Sequence, residues 1–209
     1  MSDKALVVTG LSPFIASALA IARECEPERE ISVLELKVRN RLEFDTSALA
    51  ALDPALQEVF VALDYRAVNF SRLELMSQLK ARGFSLARLV SPRAFVASGQ
   101  KLGENTIVHM GTMMSCDVRV GYNAVIGSRA TIEIGVKIGN SAYLAPGTMI
   151  EAQASIGDST TIGEGVTVAS GVKVGKQCEI LIPGIYREDI PDKTFYALGY
   201  AGPVRIVKF

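Results

Sequence analysis

Tryptophan is absent and histidine occurs once, at His109. A single imidazole argues against a zinc centre built on several histidine ligands. Three cysteines, Cys25, Cys116 and Cys178, are widely spaced and odd in number. They form neither a metal-type pair nor a disulfide framework, which points to a reducing compartment. Charge of one sign is also missing: 22 basic residues balance 22 acidic ones. That balance gives no sign of a phosphate-tracking surface or a polybasic membrane patch, so neither nucleic acid nor membrane is expected as a partner. The opening MSDKALVVTG is neither a signal peptide nor a membrane span, and a soluble, cytoplasmic protein is the expectation. The charge clusters at Arg23–Glu30 and Lys37–Glu43 read as solvated faces.

What is present is a 209-residue chain with 49% hydrophobic residues, enough for one large or two small cored domains. The first part, 1–89, alternates strand and helix signals. Ala5–Thr9 is a short apolar run ending in Gly10, as in a buried parallel strand. Phe14–Glu24 follows with helical spacing. Ile31–Leu36 and Glu58–Leu63 read as further strands. Arg72–Arg82 reads as a helix stopped by Gly83. Phe84–Val90 reads as a last strand. The pattern predicts a small, Rossmann-like parallel α/β domain.

From Val90 the period becomes six. Every sixth residue through Ile180 is aliphatic, sixteen in succession. A second series, four residues later, is small or β-branched apart from Gln100 until it ends at Gly184. A period of six drifts around a 3.6-residue helix, so no α-helix produces it. The pattern predicts a parallel β-helix over 90–185, with a closing tail over 186–209. Aliphatic side chains would stack inward about 4.8 Å apart, each contributing roughly 1.5–3 kcal/mol before entropy is subtracted. Gly103, Gly121, Gly127, Gly139, Gly157, Gly163 and Gly175 follow the aliphatic position, where a side chain would crowd the bend.

The [Leu/Ile/Val]-Gly-x-x-small-x rhythm resembles the hexapeptide-repeat acyltransferases, whose β-helix is left-handed. Three hexads per coil then imply about five coils. The order of an α/β domain, the link LVSPRAFV and a β-helix resembles the sialic-acid O-acetyltransferase and bacillosamine N-acetyltransferase group. LGENT, VKIGNSAYLAPGTMI, GDSTTIGEGVTVASGVKVG and the tail IPDKTFYALGYAGPVRIVKF carry that likeness over nearly the whole chain. The tail reads Gly199, Tyr200, Ala201, Gly202 where the family usually has Gly-x-Pro-Ala. The resemblance implies an acyltransferase using acetyl-CoA without a metal, a homotrimer with the coenzyme between neighbouring β-helices, and a role of the polysaccharide-biosynthesis kind. It places coenzyme contacts at Tyr143, Ala152 and Glu164. It places a nucleotide-sugar acceptor at Gly10, Ser12 and Phe14.

The chain departs from that family where the chemistry should be. The family's Glu-His-acid segment is here Glu133, Ile134 and Gly135, so the histidine base is replaced by Ile134 and only Glu133 remains. A second family histidine falls on Tyr143, a poor base at neutral pH. The glycine-rich Ser-Gly-His loop is here TGLSPFIAS, in which Pro13 removes a backbone N–H and Phe14 adds bulk. Ser12 is either a helix N-cap or a ligand contact. His109 stands 25 positions before Ile134, not a multiple of 18, so the two do not stack. It is a candidate base or an ordinary surface or interface histidine. Cys116 and Asp117 stack one coil below Ile134 and Gly135 without an activating imidazole. Glu133 is a candidate catalytic carboxylate or a groove-lining one, and Glu164 stands where an apolar coenzyme contact is usual. Three readings follow: an acyl-CoA-dependent N- or O-acyltransferase on a sugar or similar small acceptor, working without the usual base; a non-catalytic trimeric binding or scaffold module; and a transferase retargeted to a non-nucleotide acceptor.

Overall fold

A computed structural model describes residues 4–39, 44–65 and 68–206. β1 (Ala5–Gly10) is the centre of a three-stranded parallel sheet, with β2 (Ile31–Glu35) on one side. α1 (Phe14–Cys25) connects them and buries Ile15, Ala18, Ile21 and Ala22, one face at helical spacing. It ends one residue before the Glu26–Pro27 pair, as the restriction on a residue preceding proline requires. The short β3 (Lys37–Val38) and β4 (Phe44–Asp45) pair antiparallel. β5 (Gln57–Ala62) lies on the other side of β1. α2 (Phe70–Ala81) packs Leu75, Met76 and Leu79 beneath it. Gly83, at φ +87°, ends this helix with N–H bonds from Gly83 and Phe84 back to Lys80 and Leu79.

The strand expected over 84–90 divides in two. Leu86 makes a single parallel bridge to Val59, while Leu89–Val90 is already the first rung of the β-helix. Strands of two or three residues then recur about every six residues on three faces. Those starting with Leu89, Ile107, Val125, Tyr143, Thr161 and Glu179 stack on the first face. Those starting with Phe95, Met113, Thr131, Met149, Val166 and Gly184 stack on the second, and Lys101, Arg119, Lys137, Ser155 and Lys173 begin the third. Two faces thus hold six hexad rungs and the third five, nearer six coils than five.

The inward series is buried from Val108 to Ile180, while Val90, Val96 and Leu102 at the open end are only partly covered. Cys178 is in this core, fully buried. Threonines at the small inward positions donate to carbonyls of the adjacent rung, Thr112 to Gly127 and Thr160 to Gly175. Gln100, the outlier of that series, accepts from the Val118 N–H. The glycines after the aliphatic position are there for closeness, not for freedom. A Cβ on Gly139 would sit 2.6 Å from the Asp158 nitrogen of the next coil. The far end is closed by Thr194–Tyr196, which extends the first face, and by Ile190, bridged to Val174.

Candidate active site at the seam between the domains

The α/β domain covers the outward side of the first face. Leu89 and Ile107 are buried beneath α1, and Thr161 is buried nearer α2. The seam is specific. Asn105, on a turn, accepts from the Val61 N–H at 2.7 Å and donates to the Val61 carbonyl at 3.3 Å, standing in for a strand neighbour of β5. It also donates to Asn123, which donates to Ser141 one coil further. Arg72 of α2, 1% exposed, donates to the carbonyls of Asn123, Ser141, Ala142 and Asp64. Burial pulls its pKa down to about 10, against the opposing pull of Tyr143 and Asp64. Its guanidinium lies 5.9 Å from the Tyr143 ring centre, and the Tyr65 ring packs against the same ring, centroids 5.0 Å apart and tilted by 53°.

At one end of this seam is a cavity of about 280 Å³. It opens beyond the carboxyl ends of β1 and β5, where the chain leaves the central strand in opposite directions, the position at which open α/β sheets hold ligands. Pro13, Phe14 and Ser17 line it from the start of α1, Phe60–Leu63 from β5, and Ile107, His109, Val125, Gly127, Ser128, Tyr143 and Pro146 from the β-helix. His109 therefore is not a simple surface histidine. It leaves the turn outward but meets α1, where Nδ1 lies 3.3 Å from the Ser17 hydroxyl. Burial lowers its pKa below the ordinary 6.5, so the imidazole is neutral at neutral pH. Burial raises the Tyr143 pKa, with Arg72 opposing, so its phenol stays protonated and can donate.

Of the residues singled out in the sequence, Phe14, His109 and Tyr143 come together here. Gly10 lies behind them: its φ is +150° and a Cβ would fall 1.9 Å from the Ala62 carbonyl oxygen, so only glycine lets β5 approach. Ser12 is exposed and caps nothing; Pro13 takes the cap position of α1. The other candidates lie elsewhere. Ile134 is 47% exposed at the corner after the second face. Beside it, Glu133 accepts the Ala152 N–H at 2.9 Å, and one coil on Glu151 accepts the Ser170 N–H in the same way. Cys116 is exposed on the coil below. Glu164 is exposed at the corner after the first face. Tyr143 lines the seam cavity, and neither Ala152 nor Glu164 is among the residues that line it. Ser17, Arg72, Asn105 and the end of β5 were not foreseen. Among the described residues no group of three or more potential ligands could hold a metal, and no helix is long and apolar enough to cross a membrane.

The family described as bacterial transferase hexapeptide (six repeats) matches residues 135–170, and the hexapeptide repeat of succinyl-transferase matches 117–152. No curated protein matches the sequence. Solved structures match nearly end to end. The acetyltransferase domain of PglB from Neisseria gonorrhoeae, in complex with acetyl coenzyme A, superposes with a TM-score of 0.84 at 20% identity, covering 97% of this chain and 100% of that one. PerB from Caulobacter crescentus, in complex with CoA and GDP-perosamine, superposes at 0.81 with 23% identity, covering 93% and 94%. WeeI from Acinetobacter baumannii gives 0.51 at 15% identity, covering 96% and 100%. The likeness establishes the fold: a small α/β domain followed by a left-handed parallel β-helix carrying hexapeptide repeats.

Proposed function

We propose that the protein is an acyltransferase that moves an acyl group, acetyl in the first instance, from coenzyme A to an amine or hydroxyl of a sugar or similar small acceptor, with His109 as the base. The observation that carries this is the placement of its one imidazole. His109 is neutral, half-enclosed and beside Ser17 in the cavity at the switch point of the α/β sheet. Acetyl-CoA supplies the electrophilic thioester carbonyl. With Nδ1–H donated to Ser17 Oγ, the free Nε2 accepts the proton that the acceptor loses as it attacks. The Tyr143 hydroxyl is a further donor on the same cavity. Superposition on proteins solved with acetyl-CoA and with CoA supports the coenzyme as acyl donor.

A homotrimer agrees with the second face of the β-helix. Phe95, Met113, Met149 and Ile185 stand on it in one ladder, 73%, 57%, 39% and 55% exposed. A second copy against this wall would also supply a wall of a groove for the coenzyme near Ala152 and Glu164. A cytoplasmic setting fits the unpaired cysteines. A second reading, a non-catalytic binding module, is favoured by the corner of Ile134, where an apolar side chain replaces the family base and Glu133 is engaged by backbone.

Calorimetric titration with acetyl-CoA decides between them in two steps. No heat of binding up to millimolar coenzyme rejects the transferase. Binding without thiol release across a panel of amines and alcohols favours the module.

A further inference from the structure

The cavity at the seam has a composition that narrows its ligand. Nine of its lining side chains are apolar: Pro13, Phe14, Phe60, Val61, Ala62, Leu63, Ile107, Val125 and Pro146. No lysine or arginine is among its described lining residues. The nearest buried cation, Arg72, is behind Tyr143, and its donors are occupied by four backbone carbonyls. The loop that would cradle phosphates enters through Pro13, which has no N–H to offer, and Phe14 occupies the approach. A diphosphate placed here would lose its hydration and meet neither a cation nor a fan of backbone donors. The volume of about 280 Å³ is also at the lower limit of ordinary small-molecule pockets. Four polar side chains remain, Ser17, His109, Ser128 and Tyr143, enough to orient one or two hydroxyl or amine groups.

We propose that this cavity takes a small, phosphate-free molecule with an apolar ring or branched body and one nucleophilic amine or hydroxyl directed at His109, and excludes nucleotide-linked sugars. That such a molecule is the acyl acceptor rests on the transferase reading above; that it binds does not. The transfer balances without any further reagent. The acceptor nitrogen or oxygen forms a bond to the thioester carbonyl carbon, the carbon–sulfur bond breaks, and the proton passes through His109 to the departing thiolate.

The test is ligand-observed NMR on the intact protein with two sets of probes. Phenethylamine, tyramine and cyclohexylmethanol form the first; uridine diphosphate and a uridine diphosphate amino sugar form the second. The first set is expected to bind and the second to give no contact at tenfold higher concentration. Two variants locate the site. Val125→Phe and Ser128→Leu each put a larger side chain on the cavity lining; each should weaken the apolar probes at least tenfold while melting confirms the fold. Tight binding of the nucleotide set, displacing the others, overturns the proposal. So does silence of the apolar set at millimolar concentration, and so does binding that neither folded variant changes. Acetyl-CoA titration, run in parallel, separates the two claims: coenzyme binding with a silent cavity sinks only the ligand class, and a responsive cavity without coenzyme binding sinks only the transferase.

Discussion

His109 and Ile134 both project from turns of the same β-helix, one at the corner after the first face and one at the corner after the second. Within one chain their surroundings differ because only the first corner has a neighbour. There α1 and the end of β5 lie over the coil, so an imidazole is desolvated, oriented by Ser17 and given a cavity to face. At the second corner the coil meets solvent, and the carboxylates of Glu133 and Glu151 satisfy the turns of the coils that follow. One corner is furnished by tertiary packing, the other by its own repeat. Chemistry that needs a shifted pKa and excluded water belongs to the former.

Replacing His109 with Gln should break the comparison most. Thiol release with an accepted substrate is expected to fall about 10²–10⁴-fold, the range of a lost general base, with the melting temperature little changed. An unaltered rate would remove the first corner from the chemistry. The same variant reads the electrostatics. The folded protein holds this imidazole below the pKa of 6.5 it has when unfolded. Between those values the unfolded chain binds the extra proton, so stability is full above pH 6.5 and falls as pH drops through the folded pKa. Urea denaturation from pH 7 to 5 should show that decline in the native protein and a shallower one in His109→Gln.

Arg72→Met probes the seam that makes the two corners unequal. It strips donors from the carbonyls of Asn123, Ser141, Ala142 and Asp64, and a loss of about 3 kcal/mol follows if even two remain unpaired. Hydrogen exchange should then rise on the first face, at the rungs Val125–Ile126 and Tyr143–Leu144, and stay slow on the second. Uniform loosening of all three faces would mean that the α/β domain does not support one face in particular.

The β-helix was legible because its period comes from the backbone itself. The inward aliphatics from Val108 to Ile180 repeat at every coil, and one more signal was present and passed over. Every sixth residue from Gly99 to Gln177 has a positive φ, and these positions are largely Gly, Asn, Ser and Asp. The α/β strands were legible for the same local reasons, although 84–90 was divided by the change of domain. The site was less so. Ser17 looks like any helix serine, and its meeting with His109, 92 residues away, depends on how one domain is laid on another. In the sequence Arg72 reads as the start of an ordinary helix, since sequence alone does not distinguish a buried guanidinium from a solvated one. Glu133 drew attention as the survivor of a catalytic motif, when its counterpart Glu151 shows the carboxylate serving a repeat turn.

That last point is testable with a pair of substitutions. Glu133→Ala should cost about 1 kcal/mol through the unpaired Ala152 N–H. Glu133→Gln keeps an acceptor oxygen in place and should restore most of that stability, with turnover close to native. A rate lost equally in both variants would instead mark the charge as part of the chemistry.

The smallest effect is expected from Ile134→His, which restores an imidazole to the corner where the resemblance puts one. Position 134 is exposed and tolerates the change. The new ring, however, would have no carboxylate of its own coil to orient it: Gly135 has no side chain, and Glu133 is turned to the Ala152 N–H. Nor is this corner covered by α1 or β5. Turnover should therefore change less than about twofold, far short of the 10²–10⁴ that a positioned base supplies. Combining it with His109→Gln sharpens the point, because a second competent base would rescue the double variant. Rescue of even tenfold would place the reacting atoms at the solvent corner and leave the cavity at the seam as a binding site alone.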